Sequence, residues 1–259
     1  MPSYSSEMDE VLFYIKRHID EDLSLARLAR YAAYSPYHFS RIFKAYVGLP
    51  PHYYVASIRL QKAKDLLLKT NLSIRDIGME IGQQSLGTFT TRFSNRVGMS
   101  PSAFRHSPQV ANKHLTSLNQ LATWKQTSIV KKAHNYVTGT IDAEVPFSGV
   151  ILIGLFPKPI PEGMPKYGTL LSTLGEFSFS NVKPGRYYLM ATAVTWDSQA
   201  TDILLPHTTL RAKIHHPIVV QPRSSVPHLY VTLRAPRLND PPILVSLPVL
   251  MNNFLRQQG

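Results

Sequence analysis

The sequence predicts two domains of different class, an all-α half followed by an all-β half. Three observations predict it. Apolar residues recur with helical spacing up to about residue 107, whereas β-branched and aromatic runs broken by Gly and Pro follow from Tyr136. Six of the 20 prolines lie in residues 1–108 and fourteen from Pro146 onward. A length of 259 residues gives each half enough chain for its own core. The expected division is a helical domain over 1–107, a polar linker over 108–134 and a β-sandwich over 135–259.

Composition narrows the chemistry. With no cysteine, the chain has no disulfide, no Cys-ligated zinc or iron–sulfur cluster and no cysteine nucleophile. The opening MPSYSSEMDEVLF has no basic leader followed by an apolar stretch, and no run approaches the roughly 20 apolar residues of a spanning helix. A soluble, cytoplasmic protein without a membrane partner is expected. The net charge of +12 favours a polyanion, but it is spread: 14 basic against 9 acidic residues up to 107, and 14 against 7 after it.

Helix one is expected over about 7–20. Ser6 followed by Asp9 reads as a capping pair, and Met8, Val11, Leu12, Ile15 and Ile19 share one face. An internal repeat follows. Ser24, Leu25, Leu28 and Ala29 match Ser73, Ile74, Ile77 and Gly78 at an offset of 49. Phe39, Phe43, Val47, Gly48 and Pro51 match Phe89, Phe93, Val97, Gly98 and Pro101 at an offset of 50, so one residue must be absorbed in the turn between. In each copy a serine caps a short helix, a small residue permits close crossing, and Ser35-Pro36 or Ser85 opens a second helix that a glycine ends. Two short helices joined by a tight turn form a helix-turn-helix. Pro51–Lys69, with Tyr54, Ile58, Ala63, Leu66 and Leu67 as its apolar stripe, reads as one long connecting helix. Rigidly spaced units of this kind suit successive major-groove faces about 34 Å apart.

Residues 8–105 resemble the AraC/XylS family of bacterial transcription regulators. The likeness is carried by Leu25-x-x-Leu28-Ala29, Ser35-Pro36-Tyr37-His38-Phe39-Ser40-Arg41-Ile42-Phe43-Lys44, Gly48 and Tyr54-x-x-x-x-Arg59-x-x-x-Ala63. The second copy adds Ile74-x-x-Ile77-Gly78, Phe89-x-x-x-Phe93, Gly98-x-Ser100-Pro101 and Phe104-Arg105. The resemblance implies a seven-helix, homeodomain-like double helix-turn-helix that binds double-stranded promoter DNA and controls transcription through RNA polymerase. It departs from the family's pattern where Thr91 replaces an arginine, displaced here to Arg92, and where Gln83 replaces an aromatic residue.

On the first recognition helix, Tyr37, Ser40, Arg41 and Lys44 lie opposite Phe39, Ile42 and Phe43. Arg41 suits a bidentate contact to guanine, Lys44 a phosphate, and His38 either. The second helix is poorer in readers. Thr88 and Thr91 suit a base edge or a thymine methyl, Arg92 and Arg96 suit phosphates, and Asn95 also faces outward.

In the β half, Gly185–Ala193 alternates as a half-buried strand. Gly175–Phe179 and Val182–Tyr187 resemble a carboxypeptidase-regulatory or transthyretin-like sandwich. His207, His215, His216 and His228 lack metalloenzyme spacing, and enzyme activity and cofactors are not expected. The run from Asp240 to Leu250 reads as a last strand or a lead into a helix over about 249–257, closing its own domain's core. The sequence reading is a sequence-specific transcription regulator whose β half serves a small-molecule effector, a partner or homodimerisation. Two other readings stay open: a carbohydrate- or peptide-binding module delivered to DNA, and a low-specificity architectural DNA-binding protein.

Overall fold

The structure, a computed structural model, describes residues 4–83, 85–121, 124, 135–214, 216–222 and 226–258. The chain forms two compact units. The first joins Met1–Arg105 with a later segment, Arg237–Leu244; the second joins His106–Pro236 with Val245–Gly259.

Seven helices build the first unit: α1 (Ser5–Arg17), α2 (Leu25–Tyr31), α3 (Pro36–Val47), α4 (Pro51–Lys69), α5 (Ile74–Glu80), α6 (Leu86–Val97) and α7 (Pro101–Arg105). Serines 24, 35, 73 and 85 each accept a bond from the backbone N–H three residues on, so all four short helices start alike. Gly48 and Gly98 end α3 and α6 at φ of +88° and +90°, the left-handed conformation that glycine adopts without strain. The extra residue of the second copy sits in its turn: three residues separate Tyr31 from Ser35, and four separate Glu80 from Ser85.

The two cores repeat as well. Phe39 and Phe43 pack at 5.5 Å between ring centres, with Tyr54 of α4 5.6 Å from Phe43. Phe89 and Phe93 pack at 5.8 Å, with Phe104 of α7 5.7 Å from Phe93. Each copy therefore borrows its third ring from the helix that follows.

Helix α1 differs from its expected span. Tyr4 is its N-cap and makes no side-chain cap bond, so Ser6 lies inside the first turn. Instead the Tyr4 ring stands edge-on to Tyr34 and His38. At the other end Arg59 donates to the Ile19 and Glu21 carbonyls at 3.1 and 2.7 Å, which binds the chain beyond Arg17 without helix while Ile19 stays buried.

The second unit packs two sheets around one core. One sheet runs in the order β4 (Gly175–Phe179), β1 (Val137–Ala143), β8 (Leu229–Leu233). The other runs β3 (Tyr167–Leu171), β2 (Gly149–Phe156), β5 (Gly185–Thr195), β6 (Arg211–Lys213), with β7 (Ile218–Val220) also paired to β5. Val137, Ile141, Phe177 and Val231 of the first sheet share a core with Ile151, Ile153, Leu189 and Ala191 of the second.

The second unit differs from the sequence reading in three places. The stretch read as a linker begins with α8 (Pro108–Asn119), whose Ala111, Leu115 and Leu118 are buried at helical spacing. It packs on α9 (Ala200–Leu204) and α10 (Leu247–Gln258), and α10 also rests on β3. Every residue of β2 is buried, and β5 is buried from Leu189 to Val194 rather than alternating. The run from Asp240 to Leu250 does not close one core: it divides after Leu244, its first part belonging to the helical unit and the rest leading into α10. Residues 122, 123 and 125–134 of the expected linker lie outside the described residues.

Candidate nucleic-acid interface

The apolar stripe of α3 turns Phe39, Ile42, Phe43 and Val47 inward, which leaves the opposite side of the helix to solvent. Tyr37 is 83% exposed there, beside exposed Arg41 and Lys44 and half-buried Ser40. His38 is half-buried against the Tyr34 ring, 5.1 Å away, and its Nδ1 lies 3.5 Å from the Arg41 guanidinium. The structure thus brings the first five candidates onto one face, with His38 held by rings at the edge of it.

Helix α6 is set up the same way. Phe89, Phe93 and Val97 face inward, while Thr88, Thr91, Arg92 and Asn95 are exposed. Arg92 donates to Gln83 Oε1 at 3.1 Å across the turn of the motif, which gives the unusual Gln83 a role.

Arg96 does not stand with the others. Its guanidinium donates to Ser57 Oγ at 2.6 Å and lies 4.6 Å from the centre of the Tyr53 ring, both on α4. Arg96, expected from the sequence as an outward phosphate contact, here fastens α6 to the connecting helix. Spacing alone gave no signal of this, because Ser57 and Tyr53 lie about 40 residues away in the chain.

The connecting helix holds both copies. At about 1.5 Å per residue its 19 residues span roughly 28 Å. Arg59 reaches from it to the carbonyls after α1, and a Cβ placed on Gly82, in the second copy's turn, would lie 3.3 Å from that guanidinium. Burial lowers the Arg59 pKa, partly offset by Asp22 and Asp20. Arg105 donates to the carbonyls of Leu67 and Leu72 and so fixes the end of the same helix. Two helix faces, each rich in polar side chains opposite a phenylalanine core, thus stand on one braced frame.

Known proteins resemble this part of the chain in sequence. A helix-turn-helix domain family matches residues 28–107. The HTH-type transcriptional activator AarP of Providencia stuartii is 34% identical over 103 residues, which cover 40% of this chain and 76% of that protein. The chain belongs to the AraC-type family of transcriptional regulators. Other family members share a smaller part of their length. An HTH-type regulator of Bacillus subtilis, YobQ, is 34% identical over 94 residues, 36% of this chain and 39% of that protein. The bifunctional transcriptional activator/DNA repair enzyme AdaA of the same organism is 35% identical over 101 residues, 39% of this chain and 48% of its own. What the family shows here is a DNA-binding transcription regulator.

Elsewhere, His228 bonds Thr140 Oγ1 at 2.9 Å on the β1–β8 sheet, and His215 lies outside the described residues. Among the described residues no group of three or more His, Asp or Glu is placed to hold a metal, and no helix is long and apolar enough to cross a membrane.

Proposed function

We propose that this chain reads a two-part DNA site, placing α3 and α6 in successive major grooves. The observation that carries the reading is the duplicated scaffold with a solvent-facing polar side on both recognition helices. Arg41 pairs with a guanine edge, Tyr37 and Ser40 extend that readout, and Lys44 and His38 engage the flanking backbone. On α6, Thr88, Thr91 and Asn95 read a second, less demanding half-element while Arg92 holds phosphate; Arg96 sets the angle of the helix from within. Transcriptional control acts through RNA polymerase in the cytoplasm. The second unit serves an effector, a partner or self-association, and we assign it no catalytic activity.

Selection from a pool of random duplexes by the full-length chain at fixed salt tests the reading. Enrichment of one site with half-elements about 10 base pairs apart supports it. Steeply salt-dependent binding with no preferred sequence would replace it with an architectural role.

A further inference from the structure

We propose that the segment Arg237–Leu244 is a strap that couples the second unit to DNA binding: docked, it completes the packing of α3 and α4 and holds the recognition helices in place; undocked, it loosens them. The inference rests on the DNA-binding reading above.

The strap is part of the helical unit although some 130 residues of the other unit precede it. It touches the elements that matter for DNA. Asn239 Nδ2 donates to the Tyr46 carbonyl in α3, the helix that carries Tyr37, Arg41 and Lys44, at 3.2 Å. Lys64 of α4 donates from Nζ to the carbonyls of Ile243 and Leu244 at 3.1 and 3.5 Å, and its ammonium lies 5.4 Å from the Phe104 ring centre of α7. Lys64 is 1% exposed, and Pro241, Pro242, Ile243 and Leu244 are buried with it.

Lys64 makes this more than passive packing. An ammonium stripped of water is tolerated only with hydrogen-bond partners, and the strap supplies two carbonyls. Burial pushes the Lys64 pKa down to about 7 against a smaller upward pull from Asp65. Without the strap this site must open to water, so α4 has two distinct environments rather than a continuum. Tyr54 adds a second mark: its hydroxyl is buried without a partner, and the charge of Asp240 on the strap raises its pKa further.

The strap is also well placed to feel the second unit. Arg234, three residues before it, exchanges backbone bonds with Arg211 at 2.9 and 3.0 Å. Val245, the next residue after it, donates to the Pro161 carbonyl at 3.0 Å. Both anchors lie inside the second unit. Pro241-Pro242 stiffens the stretch between them, so a shift at either anchor is passed along rather than absorbed.

The test uses the full chain, its selected duplex and the double variant Ile243→Asp with Leu244→Asp. Charges at these buried positions expel the strap. Expected are a tenfold or greater loss of duplex affinity, faster amide exchange over α3 and α4, tryptic cleavage at Arg237, and exchange over β2 and β5 as in the parent. Cleavage at Arg237 with parental affinity would overturn the proposal. Should β2 and β5 also exchange faster, the milder Asn239→Ala decides: a two- to fivefold loss of affinity supports coupling and no loss overturns it. Failure of the DNA reading looks different, because the parent chain then selects no duplex while the exchange difference over α3 and α4 persists.

Discussion

Helices α3 and α6 are each 12 residues long, start behind a serine cap and end at a glycine near φ +90°, yet they offer different side chains to a partner. The first presents Tyr37, Arg41 and Lys44. The second presents Leu86, Thr88, Thr91 and Asn95, while one of its arginines bonds Gln83 and the other bonds α4. The lesson is that caps, phenylalanine pairs and terminal glycines are fixed by what a tight two-helix turn needs, so both copies keep them. The outer face carries no such constraint, and there the copies have diverged. Under the proposed DNA reading, the first copy would specify sequence and the second hold position.

That asymmetry can be broken by substitution. The largest effect is expected at Arg41→Ala, which should weaken the selected site by about 1–3 kcal/mol and leave random duplex nearly unchanged. Equal losses on both would reduce Arg41 to a phosphate contact and erase the distinction between the copies. Next come Gly48→Ala and Gly98→Ala. Each forces a side chain into the left-handed conformation and should cost about 1–2 kcal/mol of helical-unit stability by thermal unfolding. Near-equal losses would confirm matched scaffolds, whereas a much smaller loss at either would show that helix end to be less constrained.

Arg96→Met should destabilise the helical unit by about 1 kcal/mol through the lost Ser57 bond and Tyr53 contact. Its salt dependence of DNA binding should stay at the parental slope. Arg92→Ala should do the reverse, reducing that slope by about one with little change in stability. The smallest effect sharpens the comparison in the other direction. A Cβ on Gly78 would meet Phe89 at 3.5 Å, ordinary contact, and the first copy already has Ala29 there. Gly78→Ala should therefore stabilise the second copy by about 0.5–1 kcal/mol, read as a rise in its unfolding midpoint.

Much of this was legible in the sequence because it is local. Serine caps, apolar stripes and stop glycines act within a dozen residues, so the repeat exposed both motifs and placed α4 at Pro51–Lys69. Tyr37, Arg41, Lys44, Thr88 and Thr91 were legible by elimination, being opposite the phenylalanines. The contacts of Arg96 were not legible because its partners lie on another helix. The α1 start was misread because ring packing at Tyr4 replaced the expected cap. The β half was legible as strands but not in its burial, since β2 and most of β5 are buried on both sides rather than alternating. Nothing short-range marks Asp240–Leu244 as belonging with residues a hundred and eighty positions earlier.

The strap also bears on how the molecule is made. Lys64 meets a carbonyl 179 residues further along, so this contact closes late. At about 5–20 residues per second, synthesis reaches the end of the strap about 7–28 s after it has passed the end of α7. For that interval α1–α7 stand without it, Lys64 in water and the apolar side chains that will receive Ile243 and Leu244 uncovered. A chain broken anywhere before residue 237 stays in that state, however intact its first hundred residues. The first unit to be started thus waits for its last eight residues until most of the second has been made.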